Sequence, residues 1–214
     1  MTNGAITPGR FISLEGPDGG GKSTQFRLLV DRLRAAGREV IENFEPGRTG
    51  VGQQIRAILL DPANHIAPRA ELLLYFASRA QAVDERIRPA LARGAIVISD
   101  RFTDSTLVYQ GAGRGLDVAI VHQLHTIACQ EIQPHLTLCL DIDPARGRAR
   151  VQARVQARAG LDRMEAEASD FHHRVRAAYL ALAQAEPGRF KLIHADRSIE
   201  EVAADIWTQV SPLL

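Results

Sequence analysis

Gly16-Pro17-Asp18-Gly19-Gly20-Gly21-Lys22-Ser23 is a glycine-rich run that ends in a cation and a hydroxyl. That spacing suits one task, holding the phosphates of a nucleotide. In the pattern G-x-x-x-x-G-K-[ST] the backbone N–H groups wrap phosphate oxygens, the lysine meets the β/γ-phosphates and the hydroxyl reaches Mg²⁺. Lys22 and Ser23 are therefore expected to contact the donor phosphates and the metal, with Thr24 next in line. Lysine is scarce in this chain. Of 26 Lys+Arg only Lys22 and Lys191 are lysine, which makes a chance match improbable.

A phosphoryl donor needs an acceptor site that supplies cations and a carboxylate. Asp100-Arg101-Phe102 follows an apolar run directly, and Ser105-Thr106-Leu107-Val108-Tyr109-Gln110-Gly111-Ala112-Gly113-Arg114-Gly115 comes next. An Asp-Arg pair at a strand end also occurs as a plain local ion pair. The glycine-rich tail and the donor run upstream favour a functional loop instead.

Elements must position these groups. Phe11–Leu14 reads as a buried strand and Thr24–Ala36 as a helix, so the glycine run lies at a strand-to-helix turn whose helix N-terminus favours anions. Val40-Ile41 reads as a brief second strand, and 51–60 and 70–92 as helices. Ala95–Ile98 reads as a strand, 117–131 as a helix and Leu136–Leu140 as a strand. Asp143-Pro144 reads as an N-cap and first position of a further helix. Phe190–His194 is the last strand, and Ser198 opens a helix where Glu201 completes a capping box. Five strands without polar/apolar alternation, separated by helices, predict a parallel sheet covered on both faces. Ligands of such sheets bind at the carboxyl ends of the strands, where the glycine run and Asp100-Arg101 both fall.

The chain has 214 residues, 45% hydrophobic and 24% charged, with a net charge of +1. These values predict one soluble domain (1–214), with residues 1–9 as a polar extension. They give no global drive toward nucleic acid or membrane. Cys129 and Cys139 have no metal-ligand spacing around them and read as buried thiols in a reduced, cytoplasmic setting. His122 and His125 lack a third ligand and read as packing or interface residues. Arg146, Arg150, Arg154 and Arg158 recur every fourth residue. Such a stripe is a solvated face, a nucleic-acid contact or part of a lid.

The glycine run, Glu45-Pro46-Gly47, Asp100-Arg101 and Tyr109-Gln110-Gly111-Ala112-Gly113-Arg114-Gly115 together resemble the bacterial thymidylate kinases, in order and spacing, over nearly the whole chain. The resemblance implies a P-loop fold of three α/β/α layers, a five-stranded parallel sheet and a helical lid at about 146–166. It implies transfer of the γ-phosphoryl of ATP to dTMP with Mg²⁺, and a homodimer.

By the same resemblance, Asp18 contacts the acceptor sugar and the metal region, Arg101 grips the acceptor phosphate and Asp100 lies near Mg²⁺. Arg79 reaches the thymine, Tyr75 stacks on it, Thr106 meets its edge, Tyr109 crowds the sugar, and Gln110 belongs to the acceptor site. Phe76 is read as core. The glycine run holds no arginine, and Leu161-Asp162-Arg163-Met164-Glu165 fits a lid ending. Arg158 and Arg163 are then expected over the transferring phosphoryl. One departure stands out. Relatives usually carry Arg-Glu-Pro-Gly-Gly-Thr where this chain reads Phe44-Glu45-Pro46-Gly47-Arg48-Thr49, and Arg48 is expected to reach the acceptor phosphate in place of the missing arginine. A deoxynucleoside kinase and a nucleotide switch are the rival readings. A GTPase is disfavoured because no Asn-Lys-x-Asp run is present.

Overall fold

The computed structural model describes residues 8–155 and 161–214. Most of the proposed 1–9 extension and Arg158 of the proposed lid lie outside the described residues. The strands are β1 (Arg10–Glu15), β2 (Val40–Phe44), β3 (Ile96–Asp100), β4 (Leu136–Asp141) and β5 (Phe190–His194). They form one parallel sheet in the order β2-β3-β1-β4-β5. The helices are α1 (Lys22–Ala35), α2 (Gly50–Leu60), α3 (Pro68–Ala82), α4 (Arg88–Ala92), α5 (Thr103–Thr106), α6 (Val118–Cys129), α7 (Pro144–Val155), α8 (Ser169–Ala185) and α9 (Ile199–Val210).

Both faces of the sheet are covered, which is why the strands read as apolar runs. Ile12 and Leu14 of β1 point to one side, with Leu29 and Leu33 of α1 and Val202 and Ile206 of α9. Phe11 points to the other, with Val97, Phe102, Ile87, Ala90 and Cys129. Further along that second face, Cys139 and Phe190 pack with Tyr109, Phe171, Val175 and Tyr179.

Register fixes the working end of the sheet. Leu14 pairs with Asp100, Asp100 pairs with Phe44, and Glu15 pairs with Cys139. The glycine run, the Asp-Arg pair and the Glu45-Pro46 turn therefore leave the sheet at one level. The two expected N-caps are present. Asp143 Oδ1 accepts from the Ala145 amide at 2.9 Å, and Ser198 with Glu201 forms a capping box.

The structure departs from the sequence reading in four places. The helix expected over 70–92 is α3, one π-helical turn (Val83–Ile87) and α4. Pro89 has no N–H to give the carbonyl four residues back, and the Arg88 amide bonds Val83 O instead, widening the turn. The segment after Arg101, read as a loop, winds as α5 and a π-helical stretch, Leu107–Gly113. Gly113 is needed there because a Cβ would stand 2.6 Å from Phe171 Cε2. The second strand runs on to Phe44, because the polar Asn43 inside it donates to Ser99 Oγ at 2.9 Å. Finally, α8 was not anticipated, although Phe171, Val175 and Tyr179, four residues apart, all fall on its buried face.

Candidate active site

A cleft of about 730 Å³ opens at the carboxyl ends of β1, β2 and β3. The glycine run lines one wall with Asp18, Gly19, Gly21, Lys22, Ser23 and Thr24. Arg48, Tyr75, Arg79, Asp100, Arg101, Thr106, Tyr109 and Gln110 line the rest. One cavity thus holds nearly all the residues singled out from the sequence. Gly16, Pro17, Gly20 and Arg163 are the exceptions among the described ones.

The glycine run keeps its shape because two close approaches forbid side chains. A Cβ at Gly16 (φ 123°) would lie 2.4 Å from Leu140 O, and one at Gly19 (φ 82°) 2.3 Å from Gly147 O. Lys22, nearly buried, donates to Gly16 O and Pro17 O at 2.9 Å each and stands 3.6 Å from Asp18 Oδ1. Burial, helped by the nearby Arg101 charge, lowers the Lys22 pKa, while Asp18 opposes the shift. Its ammonium is held at the loop by two neutral carbonyls that a phosphate can replace, with the Asp18 carboxylate at longer range. Pro17 and Gly20 are buried beneath the loop.

Arg101 is the most heavily tied side chain of the cleft. Its φ of 71° is a left-handed conformation, costing a non-glycine residue roughly 1–2 kcal/mol. The Arg101 amide donates to Leu14 O at 2.9 Å, and Ser99 Oγ donates to Arg101 O at 2.6 Å, clamping the turn. Its guanidinium gives Nη2 to Asp18 Oδ1 at 2.7 Å and to Tyr109 OH at 3.1 Å. Nη1 goes to Ser105 Oγ at 3.0 Å and Tyr179 OH at 3.3 Å. Asp18 therefore bridges Lys22 and Arg101. Burial works against its charge, but Arg101 and then Lys22 more than compensate and hold the carboxyl down at about 2.

On the far wall, Arg79 is 1% exposed and donates to Glu45 Oε2 at 2.5 Å, Phe102 O at 3.2 Å and Thr106 Oγ1 at 2.9 Å. Its Nη1 is buried with no partner. Tyr75 lies half-buried one helical turn before it, its hydroxyl pushed up to about 12 by burial and by Glu71. Phe76 is buried against Leu72 and Val121. Gln110 Nε2 donates to Glu71 Oε1 at 2.8 Å.

Arg48 also has a left-handed backbone (φ 64°). Its Nη2 pairs with Glu42 Oε2 at 2.9 Å, its Nε is buried without a partner, and its guanidinium lies 4.9 Å over the Phe44 ring. Arg56 faces the same ring at 5.5 Å and donates to Pro46 O at 2.9 Å. Phe44 thus presents its ring to two cations at the position where the resemblance leads us to expect one arginine.

Arg163 is not where the sequence reading put it. It donates Nη1 to Glu71 at 2.5 Å and Nε to Leu59 O at 2.8 Å, and it lines a second groove, of about 590 Å³, with Arg114 and Glu167. A buried carboxylate outcompetes open solvent for the guanidinium. Glu71, wholly buried, takes Arg114 as well, at 3.2 Å. Of the arginine stripe, Arg150 reaches the main cleft. It meets Gly19 O at 3.4 Å and Asp196 Oδ1 at 3.1 Å, while Arg146 takes Asp196 Oδ2 at 3.0 Å.

Sequence reasoning passed over Glu15, Arg56, Glu71 and Tyr179, and it named Ser105 only within its run and Arg150 only as part of the stripe. Glu15 carried the clearest signal, a carboxylate closing an apolar run directly before the glycine loop. Asp100 Oδ1 is buried and unpartnered, and the exposed Ser23 shares the cleft with it. Two oxygen donors of this kind, one charged, fit a hard divalent cation. The arrangement can bind one anion on the glycine loop and a second on the arginine wall, with Arg101 and Asp18 between them.

The chain is similar to thymidylate kinases in both sequence and fold. The sequence profile described as thymidylate kinase matches residues 14–206. The thymidylate kinase of Leifsonia xyli is 53% identical over 199 residues, covering 93% of each chain. That of Clavibacter sepedonicus is 50% identical over 206 residues, covering 96% of each. The crystal structure of thymidylate kinase from Ehrlichia chaffeensis superposes with a TM-score of 0.77 at 30% identity, over 95% of this chain and 99% of that one.

The depressed Asp18 carboxyl makes a stability prediction. A group with a lowered folded pKa stabilises above its ordinary value of 3.8 and loses that contribution as the pH falls toward about 2. Asp18→Asn is expected to melt below the unsubstituted protein at pH 6, with the gap closing between pH 4 and 2. Melting curves across that range check it, and a pH-independent gap contradicts the pairing.

Proposed function

The chain belongs to the thymidylate kinase family and transfers the γ-phosphoryl of ATP to dTMP, giving dTDP and ADP, and we propose from this premise how its own residues divide the work. The observation that carries the assignment is that the glycine run and the arginine wall share one cleft, joined by the 2.7 Å Asp18–Arg101 pair.

The backbone of residues 16–21 with Lys22, Ser23 and Thr24 takes the donor phosphates. Arg101 takes the acceptor phosphate, where its planar fork suits two phosphate oxygens better than a lysine. Arg48 and Arg56, oriented by Phe44, meet it from the opposite side. Arg79 offers its free Nη1 to the base, with Thr106, Gln110 and Tyr75 around the ring and Tyr109 beneath the sugar. Asp18 stands between the two anions, releasing Arg101 as it turns to the sugar hydroxyl. An oxygen of the dTMP phosphate forms the new bond to the γ-phosphorus as the bond to the β,γ-bridging oxygen breaks, and ADP leaves with that electron pair. The attacking oxygen is already anionic, so no general base is needed.

Ser23 and, through water, Asp100 would hold Mg²⁺, which would neutralise charge on the β- and γ-oxygens. The segment 146–166 is read as the lid of a single domain spanning 1–214, with Arg158 as its candidate for the transferring phosphoryl. Arg163 instead braces the base of that lid against Glu71. A cytoplasmic homodimer fits two further facts. Both cysteines are free and buried. Among the described residues α3 and α6 expose Leu73, Val118, Ile120 and Ile127, the last at 75%. The subunit contact is assigned to these residues. No helix of the described residues is long and apolar enough to cross a membrane.

With ATP·Mg²⁺ and dTMP, dUMP, dCMP, AMP or thymidine offered in parallel, ADP release is expected to be fastest with dTMP. Thymidine as the best acceptor would overturn the assignment of Arg101 and Arg48 to a phosphate. Arg48→Ala is expected to raise the dTMP KM about tenfold and leave the ATP KM alone; an unchanged dTMP KM returns Arg48 to a purely structural pairing with Glu42. Ile127→Glu is expected to turn a dimer into a monomer in sedimentation, and an unaltered mass would place the subunit contact elsewhere.

A further inference from the structure

Glu15 is the last residue of β1, one residue before the glycine run, and is wholly buried. Its Oε1 accepts from the Phe102 amide at 2.7 Å and from Ser13 Oγ at 2.9 Å. Its Oε2 accepts from Tyr179 OH at 3.1 Å and, at very short range, from Ser105 Oγ. Those two hydroxyls are the ones that accept from Arg101 Nη1. The carboxylate, two hydroxyl groups and the guanidinium thus close into one cluster, drawn from β1, α5, α8 and the turn after β3. None of the phosphate-facing roles assigned above uses Glu15.

The direction of the protons gives the cluster its meaning. A hydroxyl has one hydrogen to give and lone pairs to accept with. Ser105 Oγ and Tyr179 OH lie 3.0 Å apart, but with Glu15 ionised its Oε2 is the stronger acceptor, so both hydroxyls give it their hydrogens and turn lone pairs toward Arg101. An amide at position 15 would donate to those oxygens instead. Their own hydrogens would then lose the acceptor below and swing toward the guanidinium, where they repel it. Burial first, and then the Asp104 charge, pushes the Glu15 carboxyl up to about 7, while Arg101 and the hydrogen bonds from Ser105 and the Phe102 amide pull it down.

We propose that Glu15 is a positioning residue for phosphoryl transfer: through Ser105 and Tyr179 it orders the two hydroxyls that hold the Arg101 guanidinium in place for the acceptor phosphate. It touches neither substrate. The proposal depends on the assignment of Arg101 to the acceptor phosphate, and the test separates the two.

The test is steady-state kinetics of Glu15→Gln, Arg101→Lys and the double variant, varying dTMP at saturating ATP·Mg²⁺ and then the reverse, with melting temperatures alongside. Glu15→Gln is expected to raise the dTMP KM about tenfold, leave the ATP KM within about twofold, and add little to the loss already caused by Arg101→Lys. Glu15→Asp keeps the charge and is expected to recover part of that loss. If Glu15→Gln does not fold, Ser105→Ala and Tyr179→Phe each remove one bridge and are expected to raise the same constant about threefold.

Equal losses in both KM values together with a lower melting temperature would make Glu15 a structural residue and overturn the proposal. So would additive losses in the double variant, or an unchanged dTMP KM when a bridging hydroxyl is removed. If Arg101→Lys itself leaves the dTMP KM unchanged, the Arg101 assignment fails, and the proposal fails with it. If Arg101→Lys raises that constant and Glu15→Gln does not, only the Glu15 role is refuted.

Discussion

The Arg101 guanidinium is held from two sides, by the Asp18 carboxylate at 2.7 Å and by the Ser105 and Tyr179 hydroxyls beneath it, and the working cleft depends on that grip. An arginine in a left-handed turn persists only where its surroundings over-determine it. Here the sheet does so. The parallel register sets Leu14 beside Asp100, so the Arg101 amide finds Leu14 O, and Ser99 closes the turn from below. The same register brings the glycine run level with the turn after β3. Donor and acceptor groups are therefore placed by one hydrogen-bonded ladder rather than by two independent loops.

Every major cation of the cleft already has an acceptor. Lys22 has two loop carbonyls, Arg79 has Glu45, Arg48 has Glu42, and Arg150 has Asp196. Such pairing keeps buried charge tolerable and fixes side-chain geometry before a substrate arrives. Incoming phosphates then exchange partners and do not have to order a mobile set. The unpartnered atoms mark where the exchange is incomplete: Arg79 Nη1, Arg48 Nε and Asp100 Oδ1 are all buried and open. All three residues line the main cleft, where the proposed roles call for contacts to a base, a second phosphate and a metal-bound water.

The frame of this arrangement was legible in the sequence because it rests on local rules. A strand that is apolar throughout, a glycine run with Lys22 and Ser23, and caps at Asp143 and Ser198 each follow from a few neighbouring residues. The misreadings share a different cause. The unbroken helix read over 70–92 and the loop read after Arg101 are both replaced by π-helical turns, because Val83 O and the ring of Phe171 lie where the altered spacing needs them. Arg163 was drawn to the phosphoryl site by its motif, but Glu71, ninety-odd positions earlier in the chain, claims it. Glu15 was overlooked because its partners come from α5 and α8, and no spacing rule links them. Groups whose partners are distant in sequence are the ones that only the folded chain identifies.

The most direct test of the account is a crystal structure with dTMP and a non-hydrolysable ATP analogue bound together. The account predicts the dTMP phosphate within hydrogen-bonding distance of the Arg101 guanidinium, with the analogue's phosphates in the glycine run and Glu15 still bonded to Ser105 and Tyr179. A dTMP phosphate seated instead on Arg114 and Arg163 in the second groove would contradict it.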